Sequence, residues 1–153
     1  MPLLVVLLCS CINNKPLKEY NYKKFNLSTG WKDGVDIELA LEIDTLSTSK
    51  IYMCAILKNN KSTALVNEIP INIKFTSAKG LERTYNISLP LNVNNKESNT
   101  LRITNGTLEF EWPLISNIKN RESGIYNVVI SQNGNSPIYK NILSIGIRAT
   151  EER

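Results

Sequence analysis

Ile37-Glu-Leu-Ala-Leu-Glu-Ile43 sets the period of this chain. Ile37, Leu39, Leu41 and Ile43 alternate with Glu38, Ala40 and Glu42. Successive side chains of a β-strand point to opposite faces, so this pattern describes a strand with one dry and one wet face. Ile69, Ile71, Ile73 and Phe75 repeat the period, and Leu81, Arg83, Tyr85, Ile87 and Leu89 run back in the same step. Leu108, Phe110 and Trp112 alternate with Glu109 and Glu111. Ile51 to Leu57 is apolar on both faces, which places that strand at the centre of a sheet.

Turn chemistry separates these runs. Lys58-Asn-Asn60 ends the central strand, and Ser77-Ala-Lys-Gly80 turns the chain. Asn105-Gly106 between the short strand of Leu101 and Ile103 and the run starting at Leu108 is the strongest hairpin signal, because a two-residue loop needs φ above zero. A polar loop is expected over 92–99. Gly124-Ile-Tyr126 leads into Val128 and Ile130, Asn133-Gly-Asn-Ser-Pro137 breaks the chain again, and Ile142 to Ile147 is the last strand. Ala149 to Arg153 reads as a charged tail. Pro70 has no N–H to give a ladder and assigns its strand to a sheet edge, while Pro113 closes the run before it. The one helical candidate, Leu114 to Arg121, is too short to stand alone.

Seven to eight short strands with turns between them describe an all-β fold, an antiparallel β-sandwich of immunoglobulin-like type, with a closed barrel as the alternative. Tyr126 follows Gly124 as a corner tyrosine does in such sandwiches, its hydroxyl satisfying a backbone group. Trp31, between the breakers Ser28-Thr-Gly30 and Lys32-Asp-Gly34, is expected to plug one end of the core, with ligand contact as its alternative role.

The front of the chain is organised differently. Leu3 to Leu8 is an unbroken apolar run, followed by Leu8-Cys9-Ser10-Cys11. An aliphatic residue, two small ones and a cysteine form a bacterial lipobox. Residues 1–10 therefore read as a lipoprotein signal peptide and Cys11 as the lipidated N-terminus. Cleavage before Cys9 would put Leu8 next to the cut, where a small residue is needed. Met1-Pro2 lacks the positive n-region of a leader, which points to a start upstream. Residues 11–30 form the lipidated Cys and a basic tether containing Lys15, Lys18, Lys23 and Lys24. The β-sandwich domain is assigned to 31–153. Two or three acyl chains, at about 0.8 kcal/mol per buried methylene, hold a protein on a membrane.

The composition excludes several chemistries. The chain has no histidine, the commonest general base and metal ligand. Its net charge of +4 comes from scattered Lys and Arg with no interleaved aromatic–basic platform, so no nucleic-acid partner is expected. Removing Cys9 and acylating Cys11 leaves Cys54 alone in an apolar strand, where a cysteine acts as a small hydrophobe. No phosphate loop or nucleophile elbow occurs. Glu109 and Glu111 share a strand face as a glycosidase pair could, but their alternation with Leu108, Phe110 and Trp112 is what any half-wet strand shows. Asp33, Asp36 and Glu38 lack the spacing of a calcium loop. The reading is therefore no catalytic residue, no metal site, no cofactor and no small-molecule ligand. Trp31 and Trp112 are the candidates for ligand or partner contact.

Three further stretches complete the pattern. Ile51-Tyr-Met-Cys-Ala-Ile-Leu-Lys-Asn-Asn60 is a Tyr-led strand ending in a basic residue and Asn. Gly124-Ile-Tyr-Asn-Val-Val-Ile-Ser-Gln132 is a Gly-x-Tyr strand ending in Gln, and Ile142-Leu-Ser-Ile-Gly-Ile-Arg148 closes the domain. With the lipobox and the Trp before the first strand, this order resembles the gliding-motility lipoprotein GldH family of Bacteroidota, as a divergent member. Asn133-Gly-Asn-Ser replaces the family's Met-Arg after the Gln, and the family's central Gly-Trp-Gly-rich segment is not seen around Leu101 to Trp112. The resemblance implies a non-enzymatic lipoprotein of the cell envelope, linked to gliding and the protein export associated with it. The expected partners are the membrane, through N-terminal acyl chains, and other envelope proteins. The expected location is the outer membrane, facing the periplasm. A carbohydrate-binding lipoprotein module, with loop aromatics such as Trp31 stacking on sugars, is the alternative function.

Overall fold

Alternation becomes strand throughout the computed structural model, which describes residues 22–46, 48–91, 100–115 and 122–151. In chain order the strands are β1 (Tyr22–Asn26), β2 (Ile37–Ile43), β3 (Thr48–Lys58), β4 (Glu68–Thr76), β5 (Glu82–Pro90), β6 (Thr100–Thr104), β7 (Thr107–Ile115), β8 (Gly124–Gln132) and β9 (Ile142–Glu151). A one-turn helix, α1 (Lys61–Ala64), follows β3, and a 3-10 turn (Pro137–Asn141) precedes β9. The period of β2 is the one its sequence announces: Ile37, Leu39, Leu41 and Ile43 are buried and the residues between them are exposed.

Two antiparallel sheets face each other, one of order β1-β9-β3-β7-β6 and one of order β2-β8-β4-β5. β1 pairs with β9, β2 with β8, β3 with β7 and β4 with β5. The chain is thus one long antiparallel double strand, folded back at the β4–β5 turn and rolled up so that successive pairs fall in alternate sheets. β9 then closes on β3, and β8 on β4. This is jelly-roll order, with β6 added as a hairpin on β7. The all-β sandwich is as expected, but its immunoglobulin-like topology is corrected. In that pattern the second and fifth strands neighbour each other, whereas here β2 pairs with β8. Period and turn spacing give faces and strand number; they do not state which strands meet. The corner tyrosine keeps its expected job in the different topology, since Tyr126 Oη donates to the Glu122 carbonyl at 2.8 Å.

Three boundaries and one strand position also change. β1 occupies residues read as tether and loop, so the sandwich begins at Tyr22 rather than Trp31 and has nine strands among the described residues. Tyr-Lys-Lys-Phe-Asn looks like a basic linker, but Lys is a residue that edge strands use, and β1 is an edge. β4 is an interior strand despite Pro70. Pairing with β8 begins one residue later, at Ile71 opposite Gln132, and the Pro70 carbonyl faces the chain beyond β8, accepting from Asn133 N at 3.3 Å. The missing N–H therefore costs no ladder bond. β7 continues through Pro113 to Ile115, with a register shift opposite it between Ile51 and Tyr52. The rest of the helical candidate at 114–121 and the loop at 92–99 lie outside the described residues. β9 extends to Glu151, into the stretch read as a tail.

The dry faces meet in one core, rich in isoleucine, that includes Ile37, Ile51, Ile71, Ile73, Ile130 and Ile145, all fully buried. Burying such a side chain contributes about 1.5–3 kcal/mol. Trp31 plugs one end as expected. It is 2% exposed, its indole N–H donates to the Val35 carbonyl at 2.6 Å, and its ring meets Tyr139 edge-on with centroids 5.5 Å apart. Gln132 ties the same loop down through the Trp31 and Lys32 carbonyls at 3.1 and 3.3 Å. Trp112 stacks on Phe110 and donates to the Pro90 carbonyl at 2.8 Å, joining β7 of one sheet to the end of β5 in the other.

Gly30 makes this end possible. Its φ is +86°, and a Cβ there would lie 2.5 Å from the Lys140 carbonyl oxygen. Gly34, three residues past Trp31, has a φ of +71° but open space around it. Gly30→Ala should cost at least about 2 kcal/mol, strain and backbone clash together, and Gly34→Ala only about 1 kcal/mol. Urea unfolding of the two variants checks this; equal losses would show that the Trp31 loop does not press on the 3-10 turn.

Candidate functional site

The outward face of the five-stranded sheet carries a charged cluster. On β3, Ile51, Met53, Ala55 and Leu57 belong to the core. Alternation turns Tyr52, Cys54 and Ile56 to the other side. Register sets Tyr52 opposite Arg148, Cys54 opposite Glu111 and Gly146, and Ile56 opposite Glu109 and Ser144. Arg102 on β6 is opposite Glu109. Residues separated by up to about a hundred positions in sequence therefore share one patch.

Arg148 organises it. Its guanidinium forms a two-pronged ion pair with Glu111, Nη2 to Oε1 and Nε to Oε2, the second at 3.3 Å. Planar bidentate pairs of this kind are both stronger and more directional than single contacts. The same guanidinium lies over the Tyr52 ring, 4.8 Å from its centroid, a cation–π contact worth about 0.5–1 kcal/mol at an exposed site. Burial works against the Arg148 charge, and the Glu111 carboxylate more than offsets it, so the guanidinium is held above its ordinary pKa.

Cys54 lies beneath this pair, its Sγ 4.0 Å from Glu111 Oε2. Burial pushes the thiol up to about 12, Glu111 adds to the shift and Arg148 opposes it. Cys54 is therefore a protonated thiol at neutral pH, and a thiol is not the nucleophile that a thiolate is. Beside the cluster is a half-open cleft of about 350 Å³, walled by Ile56, Arg102, Glu109, Glu111 and Arg148 with Cys54 at its floor. Arg102 and Glu109 make no ion pair among the described residues. The cleft thus offers, among the described residues, a cation and an anion outside any ion pair beside a locked pair, a mixed donor and acceptor surface.

The residues singled out in the sequence are distributed unevenly over this picture. Cys11 lies outside the described residues. Trp31 and Trp112 are each 2% exposed with their indole N–H groups bonded internally. The ligand or partner contact considered for them is corrected to a core role, and Trp31 has no free face to stack on a sugar. Glu109 and Glu111 do share the outward face, but Glu111 is committed to Arg148. Asp33, Asp36 and Glu38 do not converge: among the described residues no group of three potential ligands is placed to hold a metal. The Arg148–Glu111–Tyr52 arrangement was missed. Its members were visible singly, Tyr52 and Arg148 within quoted motifs and Glu111 by its alternation, but only the β3–β7 and β3–β9 registers bring them together.

No protein-family model, curated protein or solved structure matches the chain.

The thiol provides a direct test of the site. With Cys9 and Cys11 replaced by Ser, only Cys54 can react with iodoacetamide. A thiol raised from 9.0 to about 12 should be alkylated roughly a thousandfold more slowly at pH 8 than in the urea-unfolded chain, because the thiolate is the reactive form. Glu111→Gln removes one of the two causes, so alkylation should speed up yet stay slower than in the unfolded chain. A folded wild-type protein reacting at the unfolded rate would place Cys54 outside this cluster. The same variant leaves Arg148 without its partner and should cost about 1–2 kcal/mol in urea unfolding.

Proposed function

We propose that this chain is a lipid-anchored, non-catalytic protein of the cell envelope, of GldH-like type, that binds other envelope components, including those of gliding and its associated secretion. The observation that carries the binding role is the cleft of β3, β7 and β6. It is mixed in charge and backed by Arg148, which is held on two sides by Glu111 and Tyr52. Preorganised side chains lose little entropy when a partner docks, which favours recognition. The protonated Cys54 thiol and the commitment of Glu111 to an ion pair argue for recognition over chemistry.

The sequence supports the anchor through Leu8-Cys9-Ser10-Cys11. The order of the Tyr-led, Gly-x-Tyr and Gly-x-Arg strands supports the GldH-like assignment, and three of those motif residues have identifiable work. Tyr52 and Arg148 form the cation–π contact, and Tyr126 caps the corner. On this reading the domain is held at the periplasmic face of the outer membrane, and its partners are proteins.

Two experiments divide the proposal. Cys11→Ala should move the protein from the membrane fraction to the soluble fraction and abolish incorporation of labelled palmitate; a variant that stays membrane-bound would remove the anchor. Separately, a photo-crosslinking amino acid at position 102 in intact cells should give an adduct with an envelope protein. Arg148→Ala in the same background should reduce that adduct tenfold or more, equivalent to about 1.4 kcal/mol. If no protein adduct forms from position 102, the cleft is not the binding surface.

A further inference from the structure

We infer that one end of the sandwich, the end built from the turns at 44–46, 77–81 and 122–125, rests on the lipid surface and inserts Leu46, Leu81 and Ile125 into it. This rests on the lipid anchor proposed above and adds the orientation of the domain to it.

Where the chain enters the domain selects this end. β1 begins at Tyr22, opposite Arg148, and runs towards Asn26, opposite Ser144. Its first residue therefore lies beside the part of β9 that continues to Glu151, and Glu151 pairs with Thr48, just after the β2–β3 turn. β2 ends and β8 begins together at this end, Ile43 opposite Gly124. The β4–β5 turn joins them, since a Cβ on Gly124 would lie 3.6 Å from that of Ala78. Ten residues separate Cys11 from Tyr22. A flexible chain of that length has an r.m.s. span of about 20 Å, shorter than the sandwich is long, so acyl chains on Cys11 favour this end as the one nearer the bilayer.

The three turns form one braced platform. Thr45 N donates to Ser123 Oγ at 3.0 Å, and the two hydroxyls are 2.8 Å apart. Lys79 pairs with Glu122 at 3.2 Å. Leu81 N donates to Ser77 Oγ at 3.1 Å. From this platform Leu46 and Leu81 project with 93% and 60% exposure, and Ile125, 62% exposed, lies at its margin on the outward face of β8 opposite Glu42. Charges of both signs flank them, Lys50 and Lys79 against Glu82 and Glu122, so contact runs through the apolar tips and should change little with salt or with lipid charge.

Exposure alone does not make the choice. Leu65, just past α1, is 84% exposed and lies beyond the other end of β3, about 35 Å away at the usual rise per residue. It is the matched control. In a Cys54→Ala background, Leu46→Cys and Leu65→Cys are labelled with the environment-sensitive dye NBD. The full-length lipidated proteins are then reconstituted into phosphatidylcholine vesicles. The dye at position 46 should shift its emission to the blue and be quenched by doxyl-labelled lipid, and the dye at position 65 should do neither. A response at 65 alone, or equal behaviour at both positions, overturns the orientation.

Mass spectrometry of the same samples reports the acyl chains on Cys11 independently. If they are absent, the anchor reading fails by itself. The dyes are then read with Cys9 and Cys11 replaced by Ser and the chain held on nickel-chelating lipid through an N-terminal His tag. A response at 46 and not 65 still supports the surface, and silence at 46 overturns it. Leu81→Ser and Ile125→Ser should reduce the blue shift at 46 without changing lipidation, which a purely structural role for these exposed residues would not do.

Discussion

β3 must be covered twice, and most of the molecule follows from how that is done. A strand apolar on both faces cannot border water on either side. Its inward residues, Ile51, Met53, Ala55 and Leu57, are covered by the opposite sheet. Its outward residues have no second sheet above them. Instead Arg148 reaches from β9 across the Tyr52 ring to Glu111 on β7, and Cys54 is shut beneath that bridge. The cover is polar above and apolar below, as long cationic side chains allow when their stems lie on apolar surface. One ion pair thereby does the work of a layer, and its upper surface becomes the wall of a cleft.

This coupling explains why the fold was more legible than the site. The faces of β2, β4 and β7 follow from period-two alternation in single stretches, and turns such as Asn105-Gly106 fix where strands end. The central place of β3 follows from its own composition. Strand partnership does not follow from any local pattern. Pro70 shows the cost: its chemistry rightly excluded an internal ladder bond, yet the strand is internal, because β8 ends where the proline lies. Tyr22–Asn26 shows another, since five residues with two lysines describe a linker as well as an edge strand. Glu111 and Arg148 are 37 positions apart, and Tyr52 is almost a hundred from Arg148. Their meeting is a property of the roll, invisible to any window of sequence.

The roll also separates the jobs of the two ends and the two faces. Trp31, Tyr139 and Gln132 close the end opposite the β2–β3 turn, using internal hydrogen bonds that leave no ring free. At the other end, among the described residues, Leu46 and Leu81 are exposed while Ile43 and Ile51 stay in the core. The two tryptophans, the residues most often recruited for contact, are spent on sealing the core. On the proposed function, recognition falls to residues that composition ranks low, an arginine and two glutamates on a sheet face.

A domain with its 44–46, 77–81 and 122–125 turns at a lipid surface has its strands standing away from that surface. The outward face of β3, β7 and β6 is then a side wall. Arg148 lies near its foot, because it pairs with the start of β1, Tyr52 lies beside it, and Ile56, Glu109 and Arg102 lie higher. In the proposed orientation a partner reaching the cleft would approach along the membrane, with the Arg148–Glu111 ion pair lowest and Arg102 and Glu109 uppermost. That geometry suits another component held in the same membrane better than one arriving from solution. Both are confined to a shared layer, and confinement raises their effective concentration without any new contact.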